Sequence, residues 1–173
     1  MSEIATRNFT LRRRRYDLTD AIILMLYQYP INDEDPNRPD RTPACDRALE
    51  LLHYEEGIDW DDLSVRNGLI DERKYDDHTK LNADIDTLCN PPKDADDSEL
   101  ESQNAELSKE IRGLESLLFD LLADYCNYGD HVDHKWMSAG ETACDLLGIE
   151  NFENLEKAAA RLGFEYTPRI KRG

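Results

Sequence analysis

The sequence predicts an all-α protein: a helical bundle with one long central amphipathic, coiled-coil-like helix over about residues 99–125 and a C-terminal helical hairpin. Three observations predict it. Apolar residues recur at helical spacing in one segment after another, and no strand-like alternation of useful length appears. Helix start and stop residues punctuate those segments. Finally, Leu100, Leu107, Leu114 and Leu121 fall seven apart, with Asn104, Ile111, Leu118 and Tyr125 interleaved. The 173 residues are 34% charged but still 39% hydrophobic, enough apolar surface to form a core.

In chain order, residues 1–15 read as a basic N-terminal tail carrying Arg7 and the run Arg12, Arg13, Arg14 and Arg15. Residues 16–90 read as an acidic helical region. Its first helix, capped by Asp17 or Thr19, runs through Ala21–Tyr27 and stops at Pro30; it is apolar on nearly every side and belongs at the centre of a core. Pro36 and Pro39, set among acids and amides, make 31–42 a loop. Thr42 followed by Pro43 starts the next helix, with Ala44, Ala48, Leu51 and Leu52 facing inward as far as Gly57. Asp59, Asp61 and Asp62 surround Trp60 in an acidic turn that opens another helical turn. Residues 71–89 form a polar helix with the thin stripe Tyr75, Leu81, Ile85 and Leu88, stopped by Asn90-Pro91-Pro92.

Residues 91–98 read as a Pro/Asp hinge. Ser98 and Glu101 have capping-box spacing at the start of the long helix, and 99–166 comprise that helix and the hairpin. Ser138 and Glu141 repeat the box; Ala143, Leu146 and Leu147 follow before Gly148. Asn151 caps Phe152–Leu162, with Leu155, Ala158, Ala159 and Leu162 inward and Gly163 as the stop. Residues 167–173 are a basic tail. No internal repeat is present.

Charge bounds the function more tightly than any motif. Residues 16–168 hold 37 acidic and 13 basic side chains, about −24, between two basic ends. Such a field repels nucleic acid and anionic membranes from the body and attracts basic surfaces. The acids are densest before the hinge, so the expected partner-binding face is Asp59, Trp60, Asp61, Asp62, Tyr75, Asp76, Asp77, Asp84 and Asp86, with the two aromatics as anchors. Salt adaptation of the surface is the plainer alternative.

The heptad positions Leu100, Asn104, Leu107, Ile111 and Leu114 are the expected oligomerisation seam, with Asn104 setting register in a homodimer. A parallel homodimer would oppose Glu110 at g to Glu115 at e of its partner, which leaves antiparallel pairing, a basic hetero-partner or a single-chain bundle. Arg12–Arg15 followed by Tyr16 has the chemistry of a nucleic-acid-touching arm, or of a tail that docks on the protein's own acids.

Cys126, His131, His134 and Cys144 are the one set with zinc-ligand chemistry, but their spacing departs from paired finger signatures, and no metal or cofactor is assigned. Asp33 and Asp35 begin a calcium-loop pattern that Pro36 and the lack of a glycine break. Phosphate-loop, nucleophile-elbow and dinucleotide motifs are missing, and the abundance of acids makes any carboxylate pair uninformative, so no enzyme is expected. His53, next to Leu52, reads as a packed residue. Cys45, Cys89, Cys126 and Cys144 are scattered and read as free thiols of a reduced, cytoplasmic protein. The longest apolar run, Ala21–Tyr27, is too short to span a bilayer.

Small size, strong acidity, helices and no enzyme motif together resemble, in physical character, the nucleic-acid-mimicking inhibitors that phages and plasmids use against restriction or CRISPR effectors. That resemblance implies docking on a basic, nucleic-acid-binding protein or complex, with no duplex bound by the acidic body. The alternatives are a coiled-coil oligomeric adaptor or assembly factor whose acidity serves solubility, and a small zinc-stabilised regulator with a basic arm.

Overall fold

A computed structural model describes residues 1–28, 42–128, 138–150 and 153–166. Among them the protein is all-α: α1 (Glu3–Gln28), α2 (Pro43–Leu51), α3 (Trp60–Arg66), a 3-10 turn (Glu72–Lys74), α4 (His78–Leu88), the long α5 (Asp97–Tyr128), α6 (Ser138–Leu147) and α7 (Leu155–Leu162). The loop read at 31–42 lies outside the described residues apart from Thr42. So do Pro30, Asn151 and the 167–173 tail.

The chain forms two compact units, and the Pro/Asp hinge does not separate them. One unit is residues 1–20 with 54–114, the other 21–53 with 115–173, so α1 and α5 each contribute a segment to both. The 91–98 stretch lies inside the first unit, where Ala95 N–H donates to Pro92 C=O in an ordered turn (3.3 Å).

The first correction concerns residues 1–15, which are helix rather than tail. Ser2 Oγ accepts from Ala5 N–H at 3.1 Å, and α1 runs unbroken through the four arginines. Arginine is a good helix former, and the apolar spacing of Ile4, Leu11 and Leu18 continues N-terminal to the expected cap at Asp17 or Thr19.

In the first unit α1 packs on α5 through a buried polar layer. Asn8, 0% exposed, donates through Nδ2 to Asn104 Oδ1 (2.9 Å), and Asn104 Nδ2 donates to Ile4 C=O (3.2 Å). Arg12 Nε donates to Asn8 Oδ1 (2.7 Å), and its NH2 reaches Gln103 Oε1 (2.9 Å). Further along, Arg15 pairs with Glu110 (3.5 Å). Ile4 and Asn8 meet residue 104 and Arg15 meets residue 110, so within this unit the two helices run parallel. With Asn8 and Asn104 both at a, Gln103 occupies g and Arg12 the e position that a parallel coiled coil sets opposite it.

The heptad positions expected as an oligomerisation seam, Leu100, Asn104, Leu107, Ile111 and Leu114, are all buried within the chain itself, with Asn104 against Asn8 of α1.

Several ends differ from expectation for local reasons. The capping box of α5 forms two residues early: Glu99 N–H donates to Asp96 Oδ1 (2.9 Å) and Asp96 N–H to Glu99 Oε2 (3.2 Å), in place of Ser98 and Glu101. A carboxylate at the cap carries charge towards the positive helix end, which a serine does not. Asp96→Ala should cost about 1 kcal/mol, read by chemical denaturation, whereas Ser98→Ala should be nearly silent.

Asn154, not Asn151, caps α7, accepting from Glu156 N–H at 2.7 Å. The Ser138 side chain lies outside the described residues, which leaves the second box undescribed; Ala139 N–H donates to Gln28 Oε1 (3.1 Å). Thr42 caps α2 with Pro43 in its first turn, as expected. That helix ends at Leu51 rather than near Gly57, because His53 takes a left-handed φ of 52°. His53 is consequently exposed instead of packed, and Leu51 is 49% exposed while Leu49 is buried. The expected helix over 71–89 is interrupted at Tyr75–Asp77, and Leu88 is 52% exposed.

In the second unit Phe119 is fully buried against Phe164 and Tyr166, with ring centroids 5.4 and 6.1 Å away. Both hairpin helices stop at a left-handed glycine: Ile149 N–H returns to Cys144 C=O after Gly148, and Phe164 N–H to Ala159 C=O after Gly163.

Candidate functional site: an arginine-centred acidic array

Asp59 ends its extended backbone (ψ 144°) by accepting from Asp61 N–H at 2.8 Å, which starts α3. Asp71 does the same for the 3-10 turn, accepting from Arg73 N–H at 3.1 Å. These two caps turn their carboxylates towards one side chain. Arg73 meets Asp71 at 2.8 Å, Asp62 at 3.2 Å, Asp61 at 3.6 Å and Asp59 at 3.7 Å. Four carboxylates thus gather around one guanidinium, three negative charges in excess.

Asp59, Asp61 and Asp62 remain 52–61% exposed, whereas Asp71 is 14% exposed and serves as the inner anchor. Donating hydrogen bonds to Asp71 and then to Asp62 raises the Arg73 pKa further above its ordinary value. In return Arg73 lowers that of Asp71.

Trp60 is half-buried and stacks on Tyr54, with centroids 5.7 Å apart and planes at 23°. Tyr75, Asp77, Asp84 and Asp86 have other partners. Tyr75 O–H donates to Asp84 Oδ2 at 2.6 Å, which raises the Tyr75 pKa. Asp86 accepts from Arg13 at 2.8 Å. Asp77 caps α4 through Thr79 N–H (2.8 Å), and Asp76 is exposed beside it. The continuous face read from 59 to 86 therefore resolves into the Arg73 array and a separate α4 group tied to α1.

Two members of the array were not among the sequence candidates: Arg73 and Asp71. Arg73 is one of the few cations in an Asp-rich window, and Asp71 stands two residues before it at cap spacing, which is the signal that marks them.

The arginine run is structural. Arg13 holds Asp17 (3.2 Å) and Asp86 and lies 6.0 Å from the Tyr16 ring centroid. Arg12 and Arg15 are bound to α5 as described, and all four arginines are half-buried. A free nucleic-acid-touching arm is not what this segment forms.

His131 and His134 lie outside the described residues. Cys126 is exposed and Cys144 is half-buried. Among the described residues no group of three or more His, Cys, Asp or Glu side chains is placed so that it could hold a metal ion, and no helix is long and apolar enough to cross a membrane. No family model, curated protein or solved structure matches the chain.

Proposed function

We propose that this chain is a non-enzymatic acidic binding protein of the cytoplasm that docks on a basic, nucleic-acid-binding protein surface and blocks it. It would act as a nucleic-acid mimic, in the manner of anti-restriction or anti-CRISPR inhibitors. The observation that supports this reading is the Arg73 array. Exposed ion pairs add little to stability, so packing four carboxylates around one exposed arginine is poorly explained as a stabilising device. Held in place, however, they reach a partner's Lys and Arg side chains without first losing rotamer freedom, and their excess charge steers the encounter. Trp60 on Tyr54 supplies an aromatic anchor at the edge of that field.

The test is capture of partners from host lysate at low and at moderate salt, followed by competition with DNA or RNA. A basic partner released by salt and displaced by nucleic acid is the expected result. Captured proteins that are neither basic nor nucleic-acid-binding would sink the reading.

A further inference from the structure

Asn67-Gly68 is the one Asn-Gly pair in the chain, and it stands where α3 ends. In water such a pair modifies itself. The Gly68 backbone nitrogen attacks Asn67 Cγ, the Cγ–Nδ2 bond breaks, and the Gly68 amide proton is lost as ammonia departs. Water then opens the cyclic imide at either carbonyl, leaving an aspartate or an isoaspartate. Glycine favours the reaction because it has no side chain to obstruct the ring. Gly68 is exposed and Asn67 half-buried, so water reaches the pair.

The structure engages both reacting nitrogens. Asn67 Nδ2, the leaving group, donates to Leu63 C=O at 2.9 Å, and Gly68 N–H, the nucleophile, donates to Val65 C=O at 3.1 Å. Leu69 N–H closes the same cap on Ser64 C=O at 3.0 Å, and the Leu69 side chain is buried. This is the Schellman arrangement, with Gly68 left-handed at φ 82°. Asn67 has ψ 16°, so about its Cα–C bond the Gly68 nitrogen nearly eclipses the Asn67 nitrogen. Ring closure needs it to eclipse Cβ instead, a rotation that breaks the cap.

We propose that Asn67-Gly68 is a self-modification site held shut by the α3 cap. The amide survives while Leu63, Val65 and Ser64 keep their donors, and it converts to a carboxylate when the cap opens. Loss of ammonia makes the conversion one-way, and the product weakens the cap that had restrained it. A carboxylate at 67 cannot donate to Leu63 C=O, and it sets negative charge at the carbonyl end of a helix. An isoaspartate also lengthens the backbone by a carbon, which moves Gly68 and Leu69 out of register with Val65 and Ser64. The segment beyond carries Arg73, so a reacted chain loses order at the acidic array. That consequence rests on the binding reading; the reaction itself needs no partner.

The full chain is incubated at neutral pH, folded in buffer and unfolded in guanidinium chloride. Asn67 is followed by peptide mass spectrometry with an assay for isoaspartate. In the unfolded chain Asn67 is expected to react faster than every other asparagine. In the folded protein it is expected to react at least about tenfold more slowly than in the unfolded chain. Leu69→Ala removes the buried contact beside the cap and is expected to speed the folded-state reaction about threefold or more, with helicity retained by circular dichroism. Leu69→Val serves if Leu69→Ala does not fold. Equal rates in the folded and unfolded chains, Leu69 variants no faster than the wild type, or an unfolded Asn67 no faster than the other asparagines each overturn the proposal. A failed partner capture removes the binding reading alone and leaves this result standing.

Discussion

Asn104→Leu should destabilise the protein by about 2–3 kcal/mol, a large share of the roughly 5–15 kcal/mol that holds an ordinary domain together. The expected loss comes less from the bond removed than from the group left behind. Asn8 is fully buried, and its Nδ2 has Asn104 Oδ1 as its close partner, Gln103 Oε1 lying at the outer limit of 3.5 Å. A leucine at 104 strands that donor in an apolar seam. Asn8→Leu strands the Asn104 Oδ1 acceptor and takes the Asn8 Oδ1 acceptor from Arg12 Nε, while Asn104 Nδ2 keeps Ile4 C=O. The double variant Asn8→Leu/Asn104→Leu leaves neither amide unpaired and adds apolar contact at two a positions, with Arg12 keeping its bond to Gln103, so it should be more stable than either single variant. Urea denaturation of the four proteins forms the cycle. A double variant that loses the sum of the two single losses would show that the layer is not a coupled pair.

Removing charge from the array should abolish partner binding while leaving the fold intact. Asp59→Asn/Asp61→Asn/Asp62→Asn keeps side-chain shape, and asparagine at 59 still caps α3, so helicity and melting temperature should hardly change. Affinity for the captured partner should fall about a hundredfold at low salt, and its salt dependence should flatten. Arg73→Gln separates order from bulk charge. It makes the protein more negative, so a partner that reads charge density alone would bind more tightly. A partner that reads a fixed array should bind about tenfold more weakly, because the carboxylates lose the group that aligns them. Titration of the purified partner with each variant decides between them, and binding that survives the triple substitution would move the interface elsewhere on the protein.

How much of this was legible in the sequence follows the range of the interactions involved. Thr42 capping α2, Asp59 opening α3 beside Trp60, and Gly148 and Gly163 stopping the hairpin helices were readable because each signal acts across a few residues. The α5 capping box was displaced by two residues because Asp96 and Ser98 both precede a glutamate at the right spacing, and only backbone geometry chooses between them. His53 was misplaced because a left-handed residue ended its helix with no glycine to announce it.

The sequence by itself determined the fold class, the long helix with its heptad phase, and the excess of acid. These follow from periodicity and composition, which need no knowledge of neighbours. Tertiary structure alone decided what meets what. Asn104 finds Asn8, 96 positions away, where the heptads had suggested a second copy. Arg12, Arg13 and Arg15 bind α1, α4 and α5 where charge had suggested a tail. Arg73 draws four aspartates into one array and leaves Asp84 and Asp86 to other partners. The reason is physical: a helix face states that it will be covered, and a carboxylate that it will attract a cation. Which face and which cation depend on how distant segments pack.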